Sequence, residues 1–298
     1  MHRKILMNGV LVLMFAMLGA GCGPGLKENF EDYMTSMEDV HALDTEYENK
    51  MGQLDIDGLP EELSPRNTDI DLEKLTAISE ALDQEIMPVI EQMNDKVGNI
   101  EVTNDQLADL HDTYTESLEV KQNFVQGLND YVETYALSVR SNEELIQLSQ
   151  DFMENQEERD EVIDSAGSGE EAEEIDTIIS QINENSAELE AESEILQLDE
   201  SQVTKMEHIE NVLLPLIDGH IQTFNQMNLE TDSAVRVRSL TLEMYYGFRK
   251  YYQERKSSME YNNRLQELQL QNILPLRETY EQLDEDYNAQ VEEIESEL

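Results

Sequence analysis

The chain has 298 residues, one cysteine and a formal net charge of −48. A single cysteine cannot form an intramolecular disulfide, so packing alone must stabilise the fold. The negative charge argues against nucleic acid as a partner, because phosphates would be repelled over most of the surface. Two explanations of the charge are open: solubility in a salty or alkaline habitat, and a low-affinity store of cations.

The N-terminal segment has the layout of a bacterial signal peptide. A short basic start precedes an apolar run from Ile5 to Ala20, which is shorter than the roughly 20 residues of a membrane span. Cys22 follows in a pattern that resembles the bacterial lipobox, with Leu18 displaced by one position from the usual place. We predict a signal peptide over 1–21, a lipidated tether over 22–25 and acyl chains on Cys22. The alternative is an ordinary secreted protein with a stray cysteine.

Composition and periodicity predict an all-α protein. Glycine and proline are few, tryptophan is absent, and good helix formers are abundant. Apolar residues of the first helix repeat with heptad spacing, interrupted once by Asp44. We predict one elongated antiparallel helical bundle over 26–298, a coiled-coil-like rod with two related hairpins at about 71–163 and 170–298. The predicted helices cover 26–54, 71–97, 104–163, 170–227 and 233–298.

Two segments of the chain repeat around a proline. The sequence IMPVI around Pro88 matches LLPLI around Pro215, and Pro275 stands in a third, shorter match. A proline inside a helix frees a carbonyl group and bends the helix. Folding each hairpin about its turn places Tyr114 near Pro88 and Tyr245 near Pro215, so we expect an aromatic ring over each bend.

No set of residues for catalysis emerges from the sequence. Beyond the signal peptide the histidines are His41, His111, His208 and His220, and no two of them have the spacing of a zinc-protease motif. A glycine-rich phosphate loop and a nucleophile elbow are also missing from the sequence. We therefore expect a non-enzymatic protein without a cofactor.

Two patterns in the sequence are weak matches to metal sites. His208 stands beside Glu207 and Glu210, but a solvated lone histidine is the favoured interpretation. The segment 55–58, with sequence DIDG, resembles part of a calcium loop. Glutamine and serine occupy the first and twelfth positions of that loop, where Asp and Glu ligands belong, so we expect no calcium there.

The strongest departure from the acidic composition lies between Arg236 and Lys256, where basic residues outnumber acidic ones and tyrosines begin to cluster. One interpretation is that these cations pair with the acidic helix over 170–227. The other is a recognition face for an anionic wall polymer or a partner protein, because Arg and Tyr are enriched in binding hot spots. The candidate binding residues are Arg236, Arg238, Tyr246, Arg249, Lys250, Tyr252, Arg255 and Lys256.

Two adjacent tyrosines, Tyr245 and Tyr246, lie within this region. Neighbouring residues of a helix point about 100° apart, so both rings cannot occupy the centre of one apolar stripe. We expect Tyr245 to pack in the core, and Tyr246 to lie at the edge of the cationic face.

The tetrapeptide Glu243-Met244-Tyr245-Tyr246, in an acidic helical chain with a lipoprotein signal, resembles the EMYY motif lipoproteins of Gram-positive Bacillota. This resemblance implies attachment to the outer face of a Gram-positive cell membrane through the lipid on Cys22. It implies no biochemical role. A looser similarity to YkyA-type lipoproteins, named for cell-wall binding, rests on architecture alone.

Our leading hypothesis from the sequence is a surface-tethered, non-enzymatic protein that binds a cell-wall component or an envelope partner through a helical surface. The alternative is an acidic protein that binds cations or buffers the envelope, since acidic residues concentrate between Glu154 and Glu200.

Overall fold

The computed structural model describes residues 24–63, 70–102 and 104–298, so Cys22 and the predicted signal peptide lie outside the described residues. Within these ranges the chain is helical and has no β-strand, which confirms the predicted all-α helical bundle. The α-helices are α1 Pro24–Met51, α2 Leu59–Glu62, α3 Leu72–Ala81, α4 Met87–Val97, α5 Asp105–Ser165, α6 Glu170–Ser193, α7 Gln202–His208, α8 Leu214–Asn225, α9 Asp232–Leu268, α10 Leu270–Ile273 and α11 Pro275–Glu297.

Contacts among the helices divide the chain into two compact units. Unit 1 comprises the described residues up to Glu133 together with Leu268–Leu298, and unit 2 comprises Thr134–Glu267. Helix α5 contributes to both units, because the boundary falls within it.

Unit 1 packs α1, α3, α4, the first part of α5, and α11. The predicted heptad of α1 forms the core, since its apolar members from Leu26 to Met51 are buried. Polar contacts tie the neighbouring helices together. Lys96 on α4 pairs with Asp39 on α1 at 2.7 Å, and Asn94 donates to Gln122 on α5 at 2.9 Å.

Unit 2 packs the second part of α5 with α6, α7, α8 and α9. Its core is mainly aliphatic, and a carboxylate fixes the turn before α9. Glu174 on α6 accepts backbone N–H groups from Glu230 and Thr231 at 2.7 and 3.0 Å. The buried core residues are Ile175, Ile178, Leu189, Leu196, Ile209, Leu213, Ile217, Ile221, Phe224, Ala234, Val237 and Tyr245.

The repeat around the first two prolines appears in the backbone as two π-helical turns, Leu82–Ile86 before Pro88 and Ile209–Leu213 before Pro215. In each turn an N–H group reaches the carbonyl five residues earlier, from Met87 to Leu82 and from Leu214 to Ile209. Proline has no N–H and its ring clashes with the carbonyl four residues before it. A wider π turn at that carbonyl relieves the clash and lets the helix continue.

The aromatic rings do not lie over these prolines as predicted. The hydrogen bond from Asn94 to Gln122 sets the register of the first hairpin, and Tyr114 is closer to the turn than the residues opposite Pro88. The ring of Tyr245 likewise contacts α8 beyond Pro215, on the side nearer the turn. The expected position of both rings was therefore wrong.

Two predicted helices are interrupted. The helix expected over 170–227 breaks after a 3-10 turn, Glu194–Leu196, and restarts at α7, where the Ser201 side chain accepts the N–H of Thr204 at 3.0 Å. The helix expected over 233–298 breaks at Gln269, whose φ of 45° is left-handed. Pro275 therefore begins α11 and does not lie inside a continuous helix.

Candidate functional site

The EMYY segment lies on α9 in unit 2 and divides its side chains between core and surface. Met244 and Tyr245 are buried, whereas Glu243 and Tyr246 are exposed. Residues three apart share a helix face, so Glu243 and Tyr246 are neighbours on the outer surface. The expected difference between the two tyrosines is confirmed, with Tyr245 at 4 % and Tyr246 at 54 % exposure.

Tyr245 is the aromatic centre of unit 2. Its ring centroid lies 5.1 Å from that of Phe224 and 5.7 Å from that of His220, both on α8. The Nε2 atom of His220 is 3.0 Å from a carboxylate oxygen of Glu188 on α6. Burial raises the pKa of the Tyr245 hydroxyl, and Asn185 offsets part of that effect. The first tyrosine of the motif therefore joins three helices by packing.

Met244 faces α5. The Nη1 atom of Arg159 approaches the Met244 sulfur at 3.6 Å, and the same guanidinium pairs with Asp160 at 2.7 Å. Arg159 is largely covered, with 13 % of its side chain exposed. The EMYY segment thus contacts α5 through methionine and α8 through tyrosine.

An apolar groove opens between α5 and α9 directly after the motif, and we call it the α5–α9 groove. Its volume is about 300 Å³. The rings of Phe152 and Phe248 line it and contact each other, with centroids 4.6 Å apart. A Cβ atom added at Gly247 would meet no atom within 4 Å, and Met153 is 61 % exposed. The lining residues are Leu148, Ser149, Phe152, Met153, Gly247, Phe248, Tyr251 and Tyr252.

Four of the candidate cations are held by acidic residues of neighbouring helices. Their ion pairs are Arg236 with Glu158, Lys250 with Glu144, Arg249 with Asp218 and Lys256 with Glu210. The first two acids belong to α5, so the pairing extends beyond the acidic segment expected from the sequence. These cations do not form an uncompensated positive surface.

Two further candidates, Arg238 and Tyr252, take structural positions. Arg238 donates to the backbone carbonyl of Met227 at 2.8 Å, which closes the turn before α9. Tyr252 is half-buried against the unit 2 core, and burial raises its pKa while Arg255 lowers it in part. Of the two candidate tyrosines, Tyr246 is the more exposed, at 54 %.

Unit 1 holds a buried charge that sequence reasoning missed. Lys121 on α5 is 1 % exposed and its Nζ atom lies 2.7 Å from Asp44 Oδ1 and 2.8 Å from Asp284 Oδ2. The same nitrogen lies over two rings, 5.5 Å from the centroid of Tyr47 and 5.6 Å from that of Tyr280. Burial alone would lower the pKa of Lys121, but the two carboxylates outweigh it and raise the pKa above its usual value.

The sequence did contain a signal for this buried charge, namely one polar residue in each of two otherwise apolar helix faces. Asp44 interrupts the heptad of α1, and Lys121 stands three residues after Leu118 on the buried face of α5. These two residues are 77 positions apart in the sequence, so no local pattern indicates that they pair. Asp284 completes the arrangement from α11, where it also accepts from Ser117 at 2.5 Å.

The histidines and the calcium-like segment take structural positions as well. His208 is not solvated as expected, because its Nε2 atom lies 2.8 Å from the Glu192 carbonyl and its side chain is 16 % exposed. Asp55 pairs with Lys74 at 3.0 Å and Asp57 with Arg277 at 2.9 Å. Over the described ranges no group of three or more His, Cys, Asp or Glu side chains is arranged to hold a metal ion.

In residues 24–63, 70–102 and 104–298, no helix combines the length and the apolar character needed to cross a membrane.

Comparison with protein families places the chain among known proteins. A family model described as EMYY-motif containing lipoprotein matches residues 2–295. No significant match to the chain was found among curated proteins or among solved structures.

Proposed function

The chain belongs to the EMYY-motif containing lipoproteins, and from this premise we propose that it binds an envelope protein through the α5–α9 groove while a lipid on Cys22 holds it at the outer face of a Gram-positive membrane. In this proposal the partner inserts an apolar side chain between the rings of the groove. The role is one of binding, without catalysis.

The observation that carries this proposal is the groove itself. Its lining is largely aromatic and aliphatic, it follows the EMYY segment directly, and Met153 in that lining is 61 % exposed. Exposed apolar side chains that border a formed cavity are typical of sites where a partner protein docks. Aromatic residues and methionine are also enriched at the centres of such interfaces.

The charges favour a protein partner over an anionic wall polymer. At Lys250 and Arg249 a polymer phosphate would compete with Glu144 and Asp218, which already pair with these cations. Repulsion by the net charge of −48 adds to that cost. An apolar side chain entering the groove leaves these ion pairs intact.

A non-enzymatic role is supported by the contacts of three of the four histidines beyond the predicted signal peptide. His41 bonds with Tyr287, His208 with Glu192 and His220 with Glu188, and each of these contacts joins two helices. A general base needs a reacting group within hydrogen-bond reach, whereas these side chains hold the helices together.

The test fills the groove. Gly247→Leu adds a side chain at the groove lining, and Gly219→Leu is a matched control on the exposed surface of α8; an added Cβ atom meets no atom within 4 Å at either position. A photo-reactive amino acid in place of Met153 reports contact with a partner in living cells. We expect one cross-linked product that disappears with Gly247→Leu and persists with Gly219→Leu.

Equal cross-linking in both glycine variants would contradict the proposal, as would the absence of any product. Retention of the purified full-length protein on peptidoglycan or teichoic acid, unchanged by Gly247→Leu, would assign binding to a wall polymer and to another surface.

The anchor is tested separately. Cys22→Ala removes the sulfur that carries the lipid, so the variant should lose labelling by a fatty-acid probe and leave the membrane fraction or accumulate as uncut precursor. Persistent labelling of this variant would refute Cys22 as the anchor.

A further inference from the structure

The α5–α9 groove lies between two antiparallel helices that ion pairs hold together. Arg236 on α9 pairs with Glu158 on α5, and Lys250 pairs with Glu144, so residue numbers rise along one helix as they fall along the other. The residues of α5 that line the groove lie between Glu144 and Glu158. This stretch of α5 is about 21 Å long at 1.5 Å per residue, and a third helix of about four turns would span the same length.

The exposed apolar side chains of α5 follow the periodicity of a helix. Ile146 and Met153 are both 61 % exposed, and they stand seven residues apart, so they lie on the same side of α5 two turns from each other. A helix that docks in a groove buries its own residues at the same spacing. An extended peptide instead adds to the edge of a sheet, and the described residues contain no β-strand.

The wall formed by α9 allows another helix to come close. Gly247 lines the groove without a side chain, and a Cβ atom added there would meet no atom within 4 Å. Glycine at such a position permits close approach of another segment to the backbone. The rings of Phe152 and Phe248 in the same groove offer apolar surface to the side chains of that segment.

Acidic residues border the groove on both helices. Glu157 stands four residues after Met153, and Glu243 stands four residues before Gly247, so each is next to a lining residue on the helix surface. Both carboxylates are exposed, and neither takes part in an ion pair with another described residue. The two walls of the groove therefore each carry an uncompensated negative charge.

The cations of α9 do not cancel these charges. In the described part of the chain, four of them stand three or four residues from a lining residue, and three of the four already have acidic partners. These pairs are Arg249 with Asp218, Lys250 with Glu144 and Lys256 with Glu210. The fourth cation, Arg255, directly follows Glu254 in the sequence. The border of the groove thus has an excess of negative charge.

We propose that the segment received by the α5–α9 groove is a basic amphipathic helix. Its apolar residues, at helical spacing, contact Met153 and the rings of Phe152 and Phe248, and its Lys or Arg residues meet Glu157 and Glu243. This inference rests on the function proposed above, since it names the chemistry of the partner at the same site. An acidic helix would be repelled by both carboxylates and by the net charge of −48.

The test measures peptide binding to the full-length protein, captured on beads through a C-terminal tag so that detergent micelles are washed away. The probe is a fluorescent peptide of about 18 residues, or five helical turns, with leucines at helical spacing and lysines elsewhere. A second peptide has glutamate in place of lysine. A third contains the same leucines and lysines in an order that removes the apolar stripe. At about 0.15 M salt we expect the first peptide to bind at least about tenfold more tightly than either of the others.

Two matched pairs of variants locate the binding. Glu157→Arg reverses a charge at the border of the groove, and Glu184→Arg makes the same change on the exposed surface of α6, away from the lining. We expect the first to weaken binding of the leucine–lysine helix at least about fivefold and the second less than about twofold. Gly247→Leu should weaken binding at least about tenfold, whereas Gly219→Leu should leave it unchanged because it lies on the exposed surface of α8.

Equal binding of the peptide without the stripe would overturn the inference, because it would indicate general attraction to an acidic surface. Equal weakening by Glu157→Arg and Glu184→Arg would overturn it for the same reason. If the glutamate peptide binds as tightly as the lysine peptide, and Gly247→Leu releases it, the groove remains a docking site but its partner is not basic. Binding of the leucine–lysine helix that Gly247→Leu leaves unchanged would also overturn the inference, while cross-linking at Met153 decides separately whether the groove has a partner.

Discussion

Both units have largely aliphatic interiors, and they differ in what else they bury. Unit 1 buries Lys121 between two aspartates and beside two tyrosine rings, whereas unit 2 packs Tyr245 against His220 and Phe224. The two units also differ in the apolar side chains that they expose, most of which belong to unit 2. The strongly exposed large apolar side chains of the described residues are Ile146, Met153, Leu198, Val203, Val235 and Tyr246 in unit 2 and Leu298 in unit 1.

This difference shows what a buried charge adds to a helical core. A buried charge stabilises only the arrangement in which its partners meet, so unit 1 gains a specific pairing of α1, α5 and α11. An aliphatic core has no such requirement.

The largest expected effect is in unit 1. Lys121→Ala leaves Asp44 and Asp284 close together without their shared cation, and loss of one member of a buried ion pair typically costs about 3–5 kcal/mol of unfolding free energy. Urea unfolding followed by circular dichroism measures it. Lys96→Ala is the control, because its pair with Asp39 is exposed and such pairs contribute about 0–1 kcal/mol. Equal losses would refute the special role of the buried charge.

The next effect concerns the motif in unit 2. Tyr245→Ala removes a ring packed against His220 and Phe224, and we expect a loss of about 2–4 kcal/mol in unfolding free energy. Tyr246→Ala removes an exposed ring and should cost less than about 0.5 kcal/mol. Thermal melts of the two full-length variants make the comparison. Identical melting temperatures would contradict the division of the motif into core and surface.

Alkaline pH should destabilise the protein through unit 1. Burial raises the pKa of Tyr33 to about 12, and raises those of Tyr47 and Tyr114 further still. Tyrosines of the unfolded chain ionise near pH 10, so above that pH the folded state holds more protons and its stability falls as pH rises. The raised pKa of Lys121 acts in the same direction.

Tyr114→Phe removes an ionisable group that has no hydrogen bond, so its alkaline unfolding should move to higher pH. Tyr246→Phe, at an exposed position, should leave the midpoint unchanged. Circular dichroism between about pH 9 and 12 measures the midpoints, a range that starts just below the usual tyrosine pKa. A shift in the second variant and none in the first would reverse the interpretation.

The smallest effects come from two helical glycines. Gly247→Ala adds a methyl group in open space. Because alanine loses less backbone entropy than glycine when the chain folds, the unfolding free energy should rise by about 0.5–1 kcal/mol. Gly127→Ala places the same group 3.3 Å from Ile273 Cγ1, so steric crowding removes some of that gain. Denaturant midpoints of the two variants compare them, and a larger gain at residue 127 would contradict the packing of α10 against α5.

Sequence patterns predicted the helices and most of the core, because heptad spacing directly reports which face of a helix is buried. The pairing between distant helices was not predictable in the same way. Asp44, Lys121 and Asp284 are brought together by the packing of α1, α5 and α11, and no local pattern encodes that contact. The π turns were not predicted either, although the repeated prolines follow them closely in the sequence.

The candidate site was predictable only in part. Helical geometry correctly placed Tyr245 inside and Tyr246 outside. The excess of cations on α9 was visible, but the acids that neutralise Arg236 and Lys250 lie 78 and 106 residues away on α5. The α5–α9 groove depends on the register between two helices, and no local sequence pattern predicts that register.

The central claim, that unit 2 contacts a partner through its groove, is tested most directly by thiol accessibility in living cells. Met153→Cys places a thiol at the groove, and Val203→Cys places one at a similarly exposed apolar position on α7, with 61 % and 57 % exposure of the native side chains. Both variants are labelled with a membrane-impermeant maleimide in cells and after purification. We expect Val203→Cys to react equally in both, and Met153→Cys to be protected in cells and reactive once purified. Equal reactivity of Met153→Cys in cells and after purification would contradict the claim.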